Sequence, residues 1–549
     1  MSAGDWKQIA KAKKESVDKL IPKEWRLPED IKLTYNETTP VSVIGLHKTF
    51  GILNDKEVEI TEGYTANELL KHIADKKFTS LEVATAFCKR AAISTQLTNC
   101  CTELLFQETL ARAKWLDDYL EENGNTIGPL HGLPISIKDA LNIKGFDSTA
   151  GYVSFIGNRK DINEDAAIVK LLFELGAIVH VKTNIPTTMM SADSENNIFG
   201  RTLNPLNLTL TAGGSSGGEA SLIKQRGSLI GIGTDIGGSL RIPAVCCGVY
   251  GFRPSNFRYP QEGQVEKERI NYSTPVVAVT GPMAFDLESL NQMMKLVLSN
   301  PNAPKYDPTF LDLPWNNNLV LPQKIRVGVV LECDSVPLQP PMKRIIKEAV
   351  KKLADSSSFE IVYLQDFPSF EYCWGLLYGY MTSDPKKEIM TNLTKSGEEI
   401  IKSLLLLFEG NKSFKTPITF EDFYELGESR SQVKKHWLRL INDENLDIIL
   451  SPGSSHTAPK HDTYGNSPYT GMWNLVDFPS LIIPFGKADA SIDLDDKSIK
   501  YCYGTLQNYD KDVHEGSPGH IQLCYKTLKD ENVLRIGEIA DRVLNEPRG

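Results

Sequence analysis

Serine hydroxyls that could act as nucleophiles occupy two glycine-rich clusters in the middle of the chain, GGSSGG at 213–218 and GTDIGGS at 233–239. Nine glycines lie between Thr211 and Arg241, which predicts backbone that turns tightly or approaches another group closely. A serine hydroxyl attacks a carbonyl only when a base takes its proton. The stretch therefore predicts a serine nucleophile with its base elsewhere in the chain, or a loop that binds an anion.

Anion binding is the weaker interpretation of the first cluster. The segment GGSSGGEASLIK places glycine and serine before a predicted helix, whose N-terminal N–H groups attract phosphate. However, the chain contains no G-x-x-x-x-G-K-[ST] motif, and GIGTDIGG does not match G-x-G-x-x-G. Nucleotide binding is therefore disfavoured.

A nucleophile elbow at Ser215 is a second interpretation, because GGSSG fits G-x-S-x-G. The preceding LNLTLTA alternates like a strand, and a helical pattern follows. The elbow needs an aspartate and then a histidine downstream, and no HGGG motif supplies its oxyanion hole. The available histidines are predicted to lie in loops; they are His456, His461, His514 and His520.

A third interpretation makes Ser239 the nucleophile and a lysine its base. Consecutive N–H groups from Ile236 to Ser239 at a tight turn could converge on a developing oxyanion. Lys138 ends the strand pattern LPISIK, and burial would let a lysine act as a base. A hydroxyl from GGSS would bridge the two. The alternative for Lys138 alone is a solvated lysine on an edge strand.

Helical and strand patterns alternate along the rest of the chain and predict one large α/β domain. We expect a central mixed β-sheet covered by helices on both faces. Thr65 and Thr79 are predicted helix N-caps, the latter in a capping box, TSLE. We expect residues 1–60 to form an N-terminal helical extension or arm and residues 61–549 a catalytic domain. Its core motifs span 128–284, and a variable helical region near 355–440 is expected to shape the substrate pocket.

Composition narrows the class of protein further. The 549 residues are 41% hydrophobic and 24% charged, as in ordinary globular proteins, and the net charge of −10 disfavours nucleic-acid binding. Nine cysteines without a CxxC pair predict reduced thiols, no zinc site and a cytoplasmic location. The N-terminal helix is expected to pack on the domain rather than on a membrane, and no clear membrane segment is present.

Three motifs in this order resemble the amidase signature family: Lys138 in LPISIKD, GGSSGG at 213–218 and GTDIGGSLRIPA at 233–244. Further similarity covers TSLEVATAF, TNIP, FGRTLNP, GFRP, GPMA and NLVDFPSLIIP. The N-terminal region is most similar to the fungal acetamidase-like branch. The segment GFRPSNFRYP differs from the commoner G-x-K-P-T form of the family. The pair Cys246–Cys247 also differs from the residues more usual at these positions of the family.

The resemblance implies a Ser–cis-Ser–Lys triad and a role for each matching residue. Ser239 would be the nucleophile, Ser215 the bridging serine after a cis bond from Gly214, and Lys138 the terminal base. Substrate contact and oxyanion binding would fall to Met189, Ser215, Ile236, Gly237, Gly238 and Ser239. Supporting positions would be Gly214, Ser216, Asp235 and Arg241. His131, in the turn PLHGLP, is expected to be structural.

The implied function is hydrolysis of short-chain monocarboxylic amides to carboxylate and ammonia through an acyl-enzyme. No metal and no cofactor are expected, the partner is a small-molecule amide, and a homodimer is allowed. Alternatives within the enzyme class are longer-chain or N-substituted amides as substrates, and a glutaminase subunit of a transamidation complex. A non-catalytic binding scaffold is the alternative outside it.

Overall fold

The computed structural model describes residues 5–160, 162–265, 274–333, 336–384, 387–412, 419–495 and 509–546. Thirteen β-strands lie within these residues. Their bounds are β1 Cys101–Leu104, β2 Pro134–Lys138, β3 Ile178–Thr183, β4 Glu195–Asn196, β5 Gly200–Arg201, β6 Ile230–Asp235, β7 Tyr250–Arg253, β8 Val279–Ala284, β9 Ile325–Val329, β10 Phe359–Tyr363, β11 Ile448–Ser451, β12 Ser480–Lys487 and β13 Pro518–Cys524. Eleven strands form one sheet in the order β1-β3-β2-β6-β8-β7-β12-β13-β11-β9-β10, and β4 pairs with β5.

Nineteen α-helices of the described residues flank this sheet. Their bounds are α1 Asp5–Asp18, α2 Glu29–Thr34, α3 Asp55–Glu62, α4 Ala66–Ala74, α5 Ser80–Thr98, α6 Phe106–Asn123, α7 Ala167–Glu174, α8 Gly217–Lys224, α9 Arg241–Cys247, α10 Leu287–Leu298, α11 Ala303–Tyr306, α12 Pro340–Ala354, α13 Phe370–Met381, α14 Glu388–Ser396, α15 Lys402–Gly410, α16 Phe420–Asp443, α17 Pro468–Val476, α18 Lys511–His514 and α19 Asp530–Asn545. Both predicted N-caps are confirmed, because Thr65 and Thr79 each form a capping box with the glutamate three residues later.

The sheet is mixed, and its parallel part places the ends of three strands side by side. Strand β2 runs parallel to β3 and to β6, with Lys138 opposite Thr183 and Ile137 opposite Ile232. All five residues of β2 are buried although successive side chains point to opposite faces, so helices cover both faces here. The predicted α/β domain with a central mixed sheet is confirmed.

Helix α1 packs against the edge of the sheet. Its residues Trp6, Ala10 and Val17 share an apolar cluster with Leu104 of β1. Lys13 lies on the same buried stripe and pairs with two carboxylates of the domain, Glu103 and Asp147. Among the described residues, no helix combines the length and apolarity needed to cross a membrane. The boundary at residue 60 stays a prediction.

The predicted strand LNLTLTA before the first glycine-rich cluster is wrong. Residues 206–212 form turns with two isolated bridges, Leu203 to Thr211 and Leu210 to Lys460. Asn207 Oδ1 accepts hydrogen bonds from the N–H of Thr209 at 3.1 Å and from its hydroxyl at 2.8 Å. This side-chain capture of the backbone ends the alternation as a turn.

Acidification is expected to destabilise the fold through His520 of β13, which is fully buried. Its Nε2 accepts a hydrogen bond from Ser454 N–H at 3.1 Å, and burial lowers its pKa to about 3. An unfolded histidine has a pKa of about 6.5, so above that pH His520 does not lower the free energy of unfolding. Below it, the free energy of unfolding falls by about 1 kcal/mol per pH unit down to about pH 3, because only the unfolded state takes up the proton. Replacing His520 by glutamine should reduce the difference between the Tm at pH 7 and at pH 5. An unaltered difference in the His520 variant would contradict the assignment.

Candidate active site

Lys138 ends β2 inside the protein, with its side chain fully buried. Its Nζ lies 2.7 Å from Ser215 Oγ and 2.8 Å from Thr234 Oγ1. Thr234 belongs to the neighbouring parallel strand β6, which explains how the sheet holds the amine in place. A solvated lysine on an edge strand is therefore excluded, because β2 is flanked by β3 and β6.

The first glycine-rich cluster delivers Ser215 to that lysine. The peptide bond between Gly214 and Ser215 is cis. Gly213 has a φ of +81°, and a Cβ on Gly214 would lie 2.5 Å from the backbone oxygen of Ser191. These two glycines are needed because the chain turns here while packed against the 191–192 backbone. Ser216, the next residue, is buried and points its hydroxyl at Thr234 O, 3.4 Å away.

The second cluster is a turn organised by the carboxylate of Asp235. Its Oδ1 accepts from Gly238 N–H at 2.8 Å and its Oδ2 from Leu240 N–H at 3.1 Å. Gly238 has a φ of +131°, and a Cβ there would lie 2.3 Å from Thr470 Oγ1. Within the described chain, no group accepts a hydrogen bond from the N–H of Ile236, Gly237 or Ser239. The structure thus leaves three of the four predicted oxyanion donors unbonded and assigns the fourth, the Gly238 amide, to Asp235.

Arg241 holds Asp235 from the start of α9. The guanidinium donates from Nε to Asp235 Oδ2 at 3.0 Å and from Nη2 to Oδ1 at 3.1 Å. Burial alone would raise the pKa of Asp235, but the Arg241 charge and hydrogen bonds from Arg241 and Asn474 outweigh it and lower the pKa to about 2. The carboxylate therefore stays ionised and keeps the turn fixed. Asn474 and Thr470, both on α17, carry no sequence signal linking them to this turn.

Ser239 follows the turn and borders a small cavity of about 30 Å³, room for about two water-sized groups. Its large apolar wall residues are Met189, Met190, Ile236, Ile242, Trp374, Met381 and Leu407. Within the part of the chain that the structure describes, Ser239 Oγ forms no hydrogen bond with Ser215. Lys138 and Ser215 are therefore in hydrogen-bond contact, whereas Ser239 faces the cavity. Met189, for which the resemblance implies substrate contact, lines this cavity, and the region 355–440 contributes the last three wall residues.

A buried carboxylate beside the site was missed by the sequence reasoning. Glu219 of α8 accepts hydrogen bonds from Ser136 Oγ at 2.5 Å and from Thr183 Oγ1 at 2.8 Å. Burial raises its pKa to about 7, against the opposing effects of those hydroxyls and of the Lys138 charge. It ties the helix of the first cluster to β2, which carries Lys138, and to the neighbouring strand β3. Its position directly after GGSSGG was the available signal.

The anion-binding interpretation does not fit the start of α8. Gly217 N–H donates to Ser194 Oγ at 3.0 Å, and Gly218 N–H donates to Asn184 O at 3.1 Å. The N–H groups that would hold a phosphate are therefore already bonded to the protein.

The nucleophile elbow also fails, because no histidine of the described chain hydrogen-bonds Ser215. His461 faces Asp193 and lies 2.9 Å from Leu208 O. The predicted loop positions are wrong for His514, which ends α18, and for His520 in β13. His131 accepts a hydrogen bond from Ile127 N–H at 3.1 Å, as expected of a structural histidine.

The described residues contain no cluster of three or more histidine, cysteine, aspartate or glutamate side chains that could hold a metal ion. Eight cysteines of the described chain are buried free thiols. They include Cys246 and Cys247, which pack in the core from α9.

The chain is similar to proteins named as amidases along almost its whole length. The family model described as Amidase matches residues 82–534. A Gibberella moniliformis protein named Amidase is 36% identical over 98% of this chain and 99% of its own length. An Emericella nidulans protein named Acetamidase is 32% identical over 98% of each chain. A solved structure of a protein named Fatty acid amide hydrolase is 31% identical, with a TM-score of 0.90 over 99% of this chain and 95% of that one.

Proposed function

The chain belongs to the amidase signature family and is an amide hydrolase, and on that basis we propose that it hydrolyses short-chain monocarboxylic amides to carboxylate and ammonia. The observation that carries the chain-length part of this proposal is the cavity of about 30 Å³ beside Ser239. Its small size and its apolar wall favour a short acyl group, such as acetyl or propionyl, over a long acyl chain. The Acetamidase relatives supply independent support for small amides.

In the proposed mechanism Lys138, acting in its neutral form, takes the proton of Ser215, with which it is already in hydrogen-bond contact. Ser239 rotates its hydroxyl towards Ser215, gives up its proton and attacks the amide carbonyl. The N–H groups of Ile236, Gly237 and Ser239 hold the oxyanion, since no other group of the described chain uses them.

Collapse of the tetrahedral intermediate then expels the amine, which takes a proton returned through Ser215. Water attacks the resulting ester of Ser239 and loses a proton to the same relay. The relay returns that proton to Ser239 Oγ as the ester C–O bond breaks, and the released acid ionises to the carboxylate. The lysine is neutral again at the end of the cycle. Each step uses groups of this chain, the substrate and water alone.

A panel of amides from acetamide to hexanamide, together with N-methylacetamide and N-phenylacetamide, tests the proposal through acid or ammonia release. We expect kcat/KM to be highest for acetamide and propionamide. Higher kcat/KM for hexanamide, or for the N-substituted amides, would overturn the chain-length assignment in favour of a longer or N-substituted substrate. Absence of turnover across the panel would favour a binding scaffold.

Replacing Asp235 by asparagine is expected to lower kcat by about 10²-fold, because it disturbs the turn that aims the oxyanion donors. The change also leaves the buried Arg241 without a counter-charge, so the Tm should fall by several degrees. Activity is therefore measured well below the Tm, on acetamide.

The matched control is Asp477→Asn. Asp477 forms a buried ion pair with Arg253 at 2.9 Å and does not contact the turn at 236–239. It should lower the Tm similarly while keeping kcat near the wild-type value. Equal losses of kcat in both variants would mean that Asp235 acts through stability alone.

A further inference from the structure

A second cavity adjoins the one beside Ser239. It also has a volume of about 30 Å³, and the two share four wall residues, Ser191, Ala192, Leu407 and Gly465. Three of these have small side chains or none, so Leu407 is the one bulky side chain common to both walls. We call the cavity beside Ser239 the inner cavity, and its neighbour the outer cavity.

Leu407 is held firmly in this position by its surroundings. It packs against both apolar clusters that meet near the inner cavity, the main core and the cluster around Met189. Its carbonyl accepts from Asn411 Nδ2 at 2.8 Å, and Asn411 Oδ1 accepts from Trp374 Nε1 at 2.8 Å. The side chain that separates the cavities is therefore fixed to the inner wall as well as to its own helix, α15.

The two cavities differ in chemistry. The polar side chains of the inner wall are all serines, whereas the outer wall also includes Asp462 and Asn466. These two groups already bond to the protein, Asp462 to Arg201 and Asn466 to Asn411. A carboxylate or amide oxygen has further lone pairs, so a hydroxyl terminus that extended past Leu407 could donate to them, which an alkyl terminus could not.

We propose that Leu407 is a specificity-determining residue that limits the acyl chain to the inner cavity, and that the outer cavity is an unused subsite for a polar acyl terminus. The inference rests on the proposed function in that it takes Ser239 as the acylated residue. Removing the bulk of Leu407 joins the two cavities, so longer acyl amides then fit, above all those that end in a hydroxyl group.

Leu407→Ala is compared with the wild type on acetamide, hexanamide and 6-hydroxyhexanamide. An added or missing methylene in a pocket changes kcat/KM by about 10- to 200-fold. We therefore expect kcat/KM for hexanamide to rise by at least about tenfold relative to that for acetamide, and that for 6-hydroxyhexanamide to rise more. Leu407→Val, which shortens the side chain less, should give a smaller shift and replaces the alanine variant if that one fails to fold.

Leu406→Ala is the matched control, because Leu406 is the neighbouring leucine of the same helix and lines the outer cavity but not the inner one. Its chain-length profile should equal that of the wild type. An unchanged profile in folded Leu407 variants, or an equal shift in the Leu406 variant, would overturn the inference. A larger gain for hexanamide than for 6-hydroxyhexanamide would overturn the polar subsite.

Calorimetric binding of acetate, hexanoate and 6-hydroxyhexanoate to the same variants tests the partition, by which we mean the separation of the inner and outer cavities by Leu407. This measurement needs no turnover. Leu407→Ala should gain affinity for the two longer carboxylates relative to acetate, and unchanged relative affinities would overturn the inference. If no amide is hydrolysed but this gain is observed, the proposed function fails while the partition stands. If the wild type hydrolyses short amides and neither readout responds to Leu407, the partition fails while the proposed function stands.

Discussion

Replacing Ser239 by alanine is expected to reduce ammonia release from acetamide by about 10⁴-fold or more, the scale on which serine hydrolases lose activity with their nucleophile. The change removes the hydroxyl that borders the inner cavity and leaves the amides of the turn at 236–239 in place. The residual rate would come from those amides and from substrate binding. Ammonia release at saturating acetamide measures the effect, and the Tm should stay near that of the wild type.

Ser221→Ala is the control for this variant, since Ser221 lies in the same glycine-rich stretch. Its buried hydroxyl bonds to Thr98 Oγ1 at 3.1 Å and Leu203 O at 3.0 Å, away from the cavity. It should retain activity. A fluorophosphonate should label the peptide that contains Ser239, as read by mass spectrometry. Labelling at Ser215, or activity that survives in Ser239→Ala, would refute the nucleophile assignment.

Motifs located the three proposed catalytic side chains because each sits at a fixed point of a regular element. Lys138 ends a strand whose alternation is visible in PISIK, and the two serines lie in glycine-rich turns beside a helix and a strand. The sequence could not show which group, if any, accepts a hydrogen bond from each backbone N–H of those turns. The direction of an N–H depends on local φ and ψ, and a φ of +131° turns that of Gly238 towards Asp235.

Two other differences have separate physical causes. The alternation in LNLTLTA predicts a strand, but local hydrogen bonds form turns there instead. Asparagine and threonine side chains make these bonds in place of a neighbouring strand. Lys13, in contrast, was visible in principle. It follows Trp6 and Ala10 at helical spacing, so the pattern placed its charge on the buried stripe and required a counter-charge.

The walls of the inner cavity show the limit of sequence reasoning most clearly. Trp374, Met381 and Leu407 lie more than a hundred residues after Ser239 and reach it from α13 and α15. The helical pattern of region 355–440 predicts that these helices form. Which face of each helix meets the nucleophile is set by long-range packing, so the side chains that would limit acyl length could be named only from the structure.

Replacing Lys138 by methionine is expected to lower kcat by about 10³- to 10⁴-fold, the contribution of a positioned general base. Methionine is unbranched and apolar, so it fills the buried space without placing a charge there. Lys138→Arg should lose as much, because a guanidinium stays protonated and cannot take the proton of Ser215. Retention of kcat within about tenfold in either variant would show that the base lies elsewhere.

The double variant Lys138→Met/Ser239→Ala separates a relay from two independent contributions. Residues that act as a unit lose little more when both are removed, whereas independent losses multiply. Because the proposed relay runs from Lys138 through Ser215 to Ser239, the double variant should be no slower than Ser239→Ala alone. A further loss of about 10³-fold would mean that Lys138 aids catalysis by a route that does not pass through the nucleophile.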